Sequence, residues 1–599
     1  MWVLLLACSS GGERVQGKAV DSEAIVESGK GGGEDSDRES PPVDEDGDGS
    51  PLPEDCDDAD SGKNPSATEI CDGVDQDCDG VADNGVPTDG AGCQDPGAPV
   101  FPTTVSIVHV NTLTGTATYS DSPDPMELCL SASDCWDLNI SDWDDHALGQ
   151  LDVVAIEGAG IDRSAIDRIR LHTLDGGDLW KGSGLQVSLD GEPVYCYSGA
   201  LAIGSDAGED PDFQDVLGGN CDTIWEDMLT VGPLLGAVDH QTARIWYRTD
   251  ATRAVHLRVA TSEGALATAP VLHYGYPKAE DDFAEVVTIS GLGADQTWYY
   301  DLEIEGKRSR AWSFRTAPAP GEPRRRRFTF GSCGKEDLQP IFGPILAWEP
   351  ELFLFIGDNH YGNTKDLNAL RMNYRRVHTV PMRASLLSGA SNLAVWDDHD
   401  YVGNNTDGNA SGKDTALRTF REYWANPRYG TDSVEGIFSS WRSGDLAFFL
   451  LDDRYWRGIP SDSLLGTEQE AWLYAELAAS DAPFKFIVDG SQFSQDSTED
   501  SWAVYPEAWE RLRSTLATVP GVVLLSGDVH YSEMIWNSGL TYDIPELTSS
   551  PLAYPDRSNR FIGVEVDTTL ADPTLTATIF DEDGTAVDIV LNPLGVPSR

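Results

Sequence analysis

The hydrophobic pattern changes character near residue 324. Downstream of that point, mostly apolar runs stand at 352–356, 392–396, 446–451, 484–488 and 522–525. Such runs, without polar alternation, are typical of strands that are buried on both faces. Helical patterns lie between them, at about 368–377 and after a capping box from Thr467 to Glu470. This alternation predicts an α/β layered domain over 324–599, in which ligands bind beyond the carboxyl ends of the strands.

Upstream of this domain, the pattern is that of strands with one exposed face. Residues 100–228 alternate apolar and polar positions in short runs separated by Asp-Gly and Gly-Gly turns, which predicts a β-sandwich of unknown role. Residues 229–320 contain strand patterns at 243–248 and 297–302, spaced as in a fibronectin-like sandwich. The expected fold class is therefore multidomain, with two β-sandwiches ahead of the α/β domain.

The first hundred residues are polar and acidic. Residues 9–43 are rich in Gly, Ser, Asp and Glu, which predicts a disordered stalk. Residues 44–97 form an acidic, cysteine-rich module in which carboxylates alternate along the chain and are followed by Gly, as calcium loops require. A solvated acidic spacer without a site is the alternative. The calcium ligands predicted in this module are Asp44, Asp46, Asp48, Asp55, Asp75, Asp77, Asp79 and Asp83.

Charge narrows the choice of partners. The 41 basic and 101 acidic residues give a net charge of −60, which argues against nucleic acid or anionic lipid bound through the overall field and favours cations. No apolar run approaches the roughly 18 residues that span a bilayer. Residues 1–8 have the pattern of the end of an export signal, and Leu5-Leu6-Ala7-Cys8 resembles a lipobox. We therefore expect an exported protein, either secreted or anchored in the cell envelope by a lipid, with a chance apolar terminus as the alternative.

The cysteines fit an oxidising compartment. Of the ten, Cys8 belongs to the lipobox and Cys333 follows a predicted strand. The other eight divide into two clusters of four, which is typical of disulfide frameworks, although free buried thiols are the alternative. In the second cluster we expect pairs between Cys129 and Cys135 and between Cys196 and Cys221. The first cluster lies in the acidic module and comprises Cys56, Cys71, Cys78 and Cys93.

Residue types that bind metals follow five of the predicted strands of 324–599. Because the strands belong to one layered domain, these loops are expected to converge on one rim. An acidic sequence without a site would not place Asp and His so regularly behind apolar runs. The residues concerned are Cys333, Asp358 and Tyr361, Asp397 to His399, Asp452, and Asp528 with His530.

This series resembles the PhoD-like alkaline phosphatases, a family within the metallophosphoesterases, over about residues 232–570. The matching stretches are 330–333, Gly357-Asp358 with Tyr361, 396–400 with Asn404, 451–452 with Arg454 and Arg457, and 525–530. Each motif is weak alone, but five in order at loop positions are specific. In the acidic module, residues 55–80 resemble the MopE-like metal-binding motif of bacterial surface proteins.

The resemblance and the ligand chemistry together imply a dinuclear centre. Asp358 would bridge two ions, and a Tyr361 phenolate with a Cys333 thiolate implies ferric iron at one site. The oxygen ligands Asp397, Asp398, Asn404 and Asp528 suit calcium at the other, and His530 completes either sphere. Hydroxide formed there would attack phosphorus. We expect His399 to stabilise the pentacoordinate state or to protonate the leaving oxygen, and Arg454, or else Arg457, to bind phosphoryl oxygens.

The function predicted is extracellular, metal-dependent hydrolysis of small phosphate esters by a D-type alkaline phosphatase that acts on monoesters or diesters. We expect a monomer. The alternative is a catalytically silent, calcium-dependent cell-surface binding protein. One departure from the family concerns residues 561–591, which alternate like strands where relatives have a long closing helix. That difference predicts a more open cleft.

Overall fold

The computed structural model describes residues 99–114, 126–138, 151–173, 180–203, 212–215, 228–336, 338–493, 500–537 and 542–592. All of them belong to one compact unit that spans residues 65–599. The lipobox with Cys8, the predicted stalk, the acidic module with its calcium ligands, and Cys221 lie outside the described residues.

The first part of the described chain consists of two antiparallel four-stranded sheets, in the orders β4-β1-β6-β7 and β3-β2-β5-β8. Val110 and Val187 of one sheet and Leu128 and Leu171 of the other belong to the same buried core. The strands are β1 (Thr104–Thr114), β2 (Met126–Cys129), β3 (Cys135–Asp137), β4 (Leu151–Asp162), β5 (Ile169–Thr173), β6 (Trp180–Leu189), β7 (Glu192–Ile203) and β8 (Asp212–Asp215).

Cysteines of both disulfides expected in the second cluster fall in this part. Cys129 and Cys135 form a disulfide that joins β2 to β3, which confirms that pair. Cys196 in β7 is also disulfide-bonded, while its expected partner lies outside the described residues. Among the described cysteines, Cys333 is the free one, and it is buried.

The second part has a three-stranded sheet, β13-β10-β9, and a five-stranded sheet, β12-β11-β14-β15 with β16 paired to β14. Alternate residues of β10 point into different cores, because side chains alternate across a strand. Ile245 packs between the two sheets, and Trp246 packs into the core of the third part. The strands are β9 (Leu229–Val238), β10 (Ala243–Thr249), β11 (Val255–Ala260), β12 (Val271–Gly275), β13 (Ala284–Ile289), β14 (Thr297–Ile304), β15 (Lys307–Arg308) and β16 (Trp312–Arg315).

The third part contains two mixed six-stranded sheets, in the orders β19-β18-β17-β26-β27-β28 and β20-β21-β22-β23-β25-β24. Phe328 of the first sheet meets Phe448 and Phe486 of the second edge to face, with ring centroids 5.6 and 4.9 Å apart, so the sheets pack against each other. The strands are β17 (Arg325–Gly331), β18 (Leu352–Ile356), β19 (Ser391–Val395), β20 (Ser439–Ser443), β21 (Leu446–Leu450), β22 (Phe484–Val488), β23 (Val522–Ser526), β24 (Glu533–Asn537), β25 (Ile544–Thr548), β26 (Arg560–Asp567), β27 (Thr574–Asp581) and β28 (Ala586–Asn592).

Helices cover the outer faces of these sheets. Asp366 caps the second of them by accepting a hydrogen bond from the Ala369 N–H at 3.0 Å. The predicted capping box at Thr467 is wrong, because Gly466 is the N-cap and Thr467 is already the first helical residue. The helices are α1 (Phe342–Ala347), α2 (Leu367–His378), α3 (Pro381–Gly389), α4 (Asp398–Tyr401), α5 (Lys413–Tyr423), α6 (Thr467–Ala479) and α7 (Pro506–Leu516).

A buried ionic network joins the three parts. Both carboxylate oxygens of Asp282, next to β13, accept from Arg248 of β10 at 2.9 and 3.0 Å, and Arg375 of α2 donates to the same carboxylate at 2.6 Å. From α2, the Asn368 amide also accepts from the Ala155 N–H of edge strand β4 at 2.9 Å and donates to its carbonyl at 3.2 Å. The upstream sheets are therefore fixed against the helices of the third part.

The third part ends with strands β26, β27 and β28. The alternating pattern of 561–591 does form strands, and they extend the first sheet through β26, β27 and β28. Within the described residues, no helix is long and apolar enough to cross a membrane.

Candidate metal centre

The loops after β17, β18 and β23 present the predicted ligands in a strained backbone conformation. Cys333, Asp358, Asp528 and His530 have φ values of 60°, 50°, 69° and 55°. Residues other than glycine rarely adopt this left-handed region, and each such residue costs roughly 1–3 kcal/mol, which the surrounding structure must offset. Strain of this kind clusters at functional sites, where it aims side chains at one another.

One group of potential ligands forms around Cys333. A carboxylate oxygen of Asp358, the Cys333 thiol and a ring nitrogen of His530 all lie within 4.8 Å of one another. The Cys333 Sγ is 3.5 Å from Asp358 Oδ2, and the Tyr361 hydroxyl is 3.3 Å from His530 Nε2. The structure therefore brings thiol, phenol, carboxylate and imidazole together, although their loops are far apart in sequence.

A second group shares Asp358 with the first. Asp358, Asp398 and His399 each offer one ligand atom within 4.8 Å of the others, and His399 Nε2 is 3.9 Å from Asp398 Oδ1. That oxygen of Asp398 is buried without a hydrogen-bond partner among the described residues. The other ring nitrogen of His399, Nδ1, is 2.5 Å from Asn363 Oδ1, which fixes the ring with Nε2 toward Asp398.

The electrostatics of both groups call for a cation. Burial raises the pKa of Asp358 well above its usual value, and the charges of Asp398 and Asp400 add to the shift. Burial raises the pKa of Asp528 to about 7 and that of the Cys333 thiol well above its usual range. The pKa of Tyr361 is raised for the same reason, with Cys333 and Asp358 contributing. Buried anions that repel one another fit a site in which metal ions supply the missing positive charge.

The imidazoles of the centre are held neutral. Burial lowers the pKa of His530 to about 4, and the positive charges of Arg557 and Lys335 contribute to this shift. Burial also lowers the pKa of His399, although the charge of Asp398 opposes it. Neutral imidazole is the form that binds metals.

Asp397 and the two predicted phosphate-binding arginines lie in a separate buried network. Arg454 Nε donates to Asp397 Oδ1 at 2.7 Å, and its terminal amino group contacts Asp500. Arg457 pairs with Asp453 at 3.3 Å and with Asp500 at 2.7 Å. Arg454 is 0% exposed and its donors are occupied by carboxylates in this structure. The role expected for Arg454 and Arg457, binding of phosphoryl oxygens, stays a prediction.

Two further predicted ligands stand apart from the metal groups. Asp397 is the N-cap residue of α4, and its backbone N–H donates to Asp400 Oδ1 at 2.7 Å. Its Oδ1 accepts from Arg454, and its Oδ2 is buried without a hydrogen-bond partner among the described residues. Asn404 is exposed, and its described contact is with the Asn405 side chain at 2.7 Å. In the same loop, the Asn405 N–H donates to Asp398 Oδ2 at 2.6 Å, which orients that carboxylate.

Sequence reasoning missed two residues at the edge of the centre. Tyr554 packs on His530 with ring centroids 3.9 Å apart, and the Lys335 ammonium lies 4.9 Å from the centre of the Tyr554 ring. Lys335 stands two places after Cys333, a proximity that was visible in the sequence. Tyr554 belongs to no motif, so only the fold reveals it.

Residues 355–569 match the family model described as PhoD-like phosphatase. Over these residues the chain is similar to that family. The predicted resemblance is therefore confirmed over these residues, and in the acidic module residues 55–84 match the MopE-like metal-binding motif. Residues 226–322 match a domain of unknown function.

The fold is similar to that of a solved structure of PhoD. A structure of PhoD has a TM-score of 0.50 and 17% identity, and the match covers 61% of this chain and 93% of that one. A purple acid phosphatase from yellow lupin, Lupinus luteus, has a TM-score of 0.46 and 12% identity, with 81% of this chain and 90% of that chain covered. A dimetal phosphatase from Danio rerio has a TM-score of 0.31 and 14% identity, with coverages of 45% and 98%. No curated protein matches the chain significantly.

Proposed function

We propose that the chain is an exported, metal-dependent hydrolase of phosphate esters, of the D-type alkaline phosphatase kind. One observation carries this proposal: two groups of potential metal ligands share the buried carboxylate of Asp358. A shared carboxylate is how proteins hold two ions close enough to act on one phosphoryl group. The match to the PhoD-like family supports the same chemistry.

The first group suits ferric iron. Thiolate and phenolate oxygen are ligands for a strong Lewis acid, and Cys333, Asp358, Tyr361 and His530 supply them together. The second group is richer in carboxylate oxygen, with Asp358, Asp398 and the nearby charge of Asp528, and it suits calcium. Ions bound there would neutralise phosphoryl oxygens and make a water molecule nucleophilic near neutral pH.

The residues around this centre hold and orient the reacting groups. Asn363 fixes the His399 ring, so that Nε2 faces the shared site. Once Nε2 has taken up a proton, the ring can pass that proton to the leaving oxygen. The Asn405 N–H orients Asp398, and the Arg454 pair fixes the loop that begins at Asp397. We place Asp397 and Asn404 in this supporting layer.

The setting of the enzyme is part of the proposal. The disulfide between Cys129 and Cys135 suits an oxidising compartment, as does the bound state of Cys196. The match of residues 55–84 to a metal-binding motif supports calcium in the acidic module. We propose small esters as substrates because a net charge of −60 repels polyanions.

The test uses the full chain. Purified protein should contain metal by elemental analysis, show visible absorbance from a tyrosinate–iron bond, and hydrolyse p-nitrophenyl phosphate or its bis ester. Asp358→Asn should lose turnover and the absorbance together, because both ligand groups use this carboxylate. Asp432→Asn is the matched control, since Asp432 is a fully exposed carboxylate of the same domain. Metal binding without any turnover in the unmodified chain would favour the silent calcium-binding protein instead.

A further inference from the structure

Lys335 lies at the edge of the metal centre, and aromatic rings surround its charge. The ammonium nitrogen is 4.9 Å from the ring centre of Tyr554 and 5.5 Å from that of Tyr361. Lys335 is exposed, and within the described ranges no carboxylate lies at ion-pair distance from it. The side chain is therefore held by cation–π contacts and keeps its hydrogen-bond donors available.

Backbone hydrogen bonds fix this arrangement. The Lys335 N–H donates to the Ala553 carbonyl at 2.7 Å, and the Ala553 N–H donates to the Cys333 carbonyl at 3.1 Å. Through these bonds the loop after β17 is joined to the loop before β26, which carries Tyr554. Tyr554 in turn packs on His530. The Lys335 backbone is therefore linked through Ala553 to Cys333, and its side chain contacts Tyr554, which packs on His530. Cys333 and His530 both belong to the first ligand group.

In this structure, the two arginines that the sequence predicts to bind substrate are occupied by other groups. Arg454 and Arg457 are buried and paired with Asp397, Asp453 and Asp500. In a chain with 101 acidic and 41 basic residues, Lys335 is an exposed cation beside a centre that contains several carboxylates.

We propose that Lys335 binds the phosphoryl oxygens of the substrate and selects phosphate monoesters over diesters. This inference rests on the proposed function and names its substrate class. A monoester phosphoryl group carries close to two negative charges near neutral pH, whereas a diester carries one. Lysine is a compact charge with three donors, which suits a phosphoryl group with several free oxygens. Tyr554 is the positioning residue that holds the ammonium over the centre.

The experiment compares Lys335→Met with the unmodified full chain on p-nitrophenyl phosphate and bis-p-nitrophenyl phosphate. We expect KM for the monoester to rise roughly tenfold or more, as loss of a charge-assisted hydrogen bond predicts, with kcat little changed. KM for the diester should change less than about threefold by the same comparison of charge. Lys335→Arg should restore most of the affinity. Lys307→Met, at an exposed lysine of β15, is the matched control.

A second variant pair tests the positioning role. Tyr554→Phe keeps the ring and should keep the monoester KM, whereas Tyr554→Leu should raise it in the same direction as Lys335→Met. Because the cation–π contacts need the ring and not the hydroxyl, equal behaviour of the two variants would remove Tyr554 from the proposal.

Inorganic phosphate gives a readout that does not depend on turnover. Calorimetry on the metal-containing chain should show weaker phosphate binding in Lys335→Met than in the unmodified chain, and salt should weaken binding less in the variant. Equal phosphate affinities, or equal rises of KM for both esters, would overturn the Lys335 proposal. If the unmodified chain hydrolysed neither ester, the proposed function would fall, and phosphate binding would still decide the role of Lys335.

Discussion

Arg454 and Asp397 form an ion pair that is completely removed from solvent, with 2.7 Å between Nε and Oδ1. The pair anchors the loop after β19, the loop that presents Asp398 and His399. Asp500 and Asp453 share the same guanidinium, so the arginine holds three carboxylates. From this geometry we expect Arg454 to stabilise the walls of the centre.

This role predicts a stability effect. Arg454→Met should lower the free energy of unfolding by about 3–5 kcal/mol, because it leaves buried carboxylates without their counter-charge. Urea unfolding followed by tryptophan fluorescence measures the change. Arg428→Met is the control, since its pair with Asp432 is exposed and should contribute less than about 1 kcal/mol. Unchanged stability with a raised substrate KM would instead return Arg454 to the substrate site.

His399 makes a prediction about leaving groups. If Nε2 donates a proton to the leaving oxygen, His399→Gln should lower kcat/KM for glycerol phosphate roughly a hundredfold or more. The loss for p-nitrophenyl phosphate should be much smaller, because p-nitrophenolate leaves without a proton. Asn363→Leu should give a weaker form of the same pattern, since Asn363 orients the ring. Loss of bound metal from His399→Gln, measured by elemental analysis, would show that the ring is a ligand instead.

His109 makes a prediction about pH. It lies in β1, fully buried, with its ring 4.4 Å from that of Phe283 and no hydrogen-bond partner for either nitrogen among the described residues. Burial lowers its pKa to about 3; nearby Asp282 opposes the shift, and Arg371, Arg248 and Arg375 add to it. Folding therefore favours the neutral His109 ring. Its contribution to the free energy of unfolding is present above pH 6.5 and is lost as the pH falls toward 3.

As the pH falls from 8 to 5, burial of His109 should lower the free energy of unfolding by about 2 kcal/mol. The loss is about 1.4 kcal/mol per pH unit below 6.5. His109→Leu should therefore lose less stability than the unmodified chain over that interval, by about the same amount. Urea unfolding at the two pH values checks this. His240→Leu, in the partly exposed turn after β9, should keep the pH dependence of the unmodified chain. Identical curves for His109→Leu and the unmodified chain would contradict the prediction.

Asn368 predicts how firmly the first pair of sheets is held. Its amide satisfies both backbone groups of Ala155 on edge strand β4, so Asn368→Leu should leave them unpaired at a cost of about 1–3 kcal/mol. Faster hydrogen exchange in the β4 segment would report the loss. Asn409→Leu, at an exposed asparagine, serves as the control. An unchanged exchange rate in β4 would show that packing alone holds the strand.

The sequence predicted the strands of the third part well, because consecutive apolar residues and the polar residues after them are both local signals. The ends of β17, β18, β19 and β23 carry the predicted metal ligands for the same reason. The Cys129–Cys135 disulfide is equally predictable from the sequence, since a short spacing inside a cluster limits the choice of partners. Residues 561–591 were recognised as strands from their alternation alone.

The sequence was least informative where tertiary contacts decide. The role of Arg454 depends on Asp397 and Asp500, which come from different loops, and a sequence shows only that an arginine follows two aspartates. Thr467 has the right neighbours for a cap, but Gly466 adopts the N-cap position instead. The joining of Lys335 to Tyr554 passes through hydrogen bonds between two distant loops, and no local pattern records it.

The position of β17 has a consequence for biogenesis. This strand leads to Cys333 and is paired on one side by β18, which follows it closely, and on the other by β26 at residues 560–567. Non-local pairings of this kind form late. In an oxidising environment, the Cys333 thiol is therefore open to wrong disulfides with the other cysteines until most of the domain has been synthesised. Early binding of a metal ion to this thiol would prevent such disulfides.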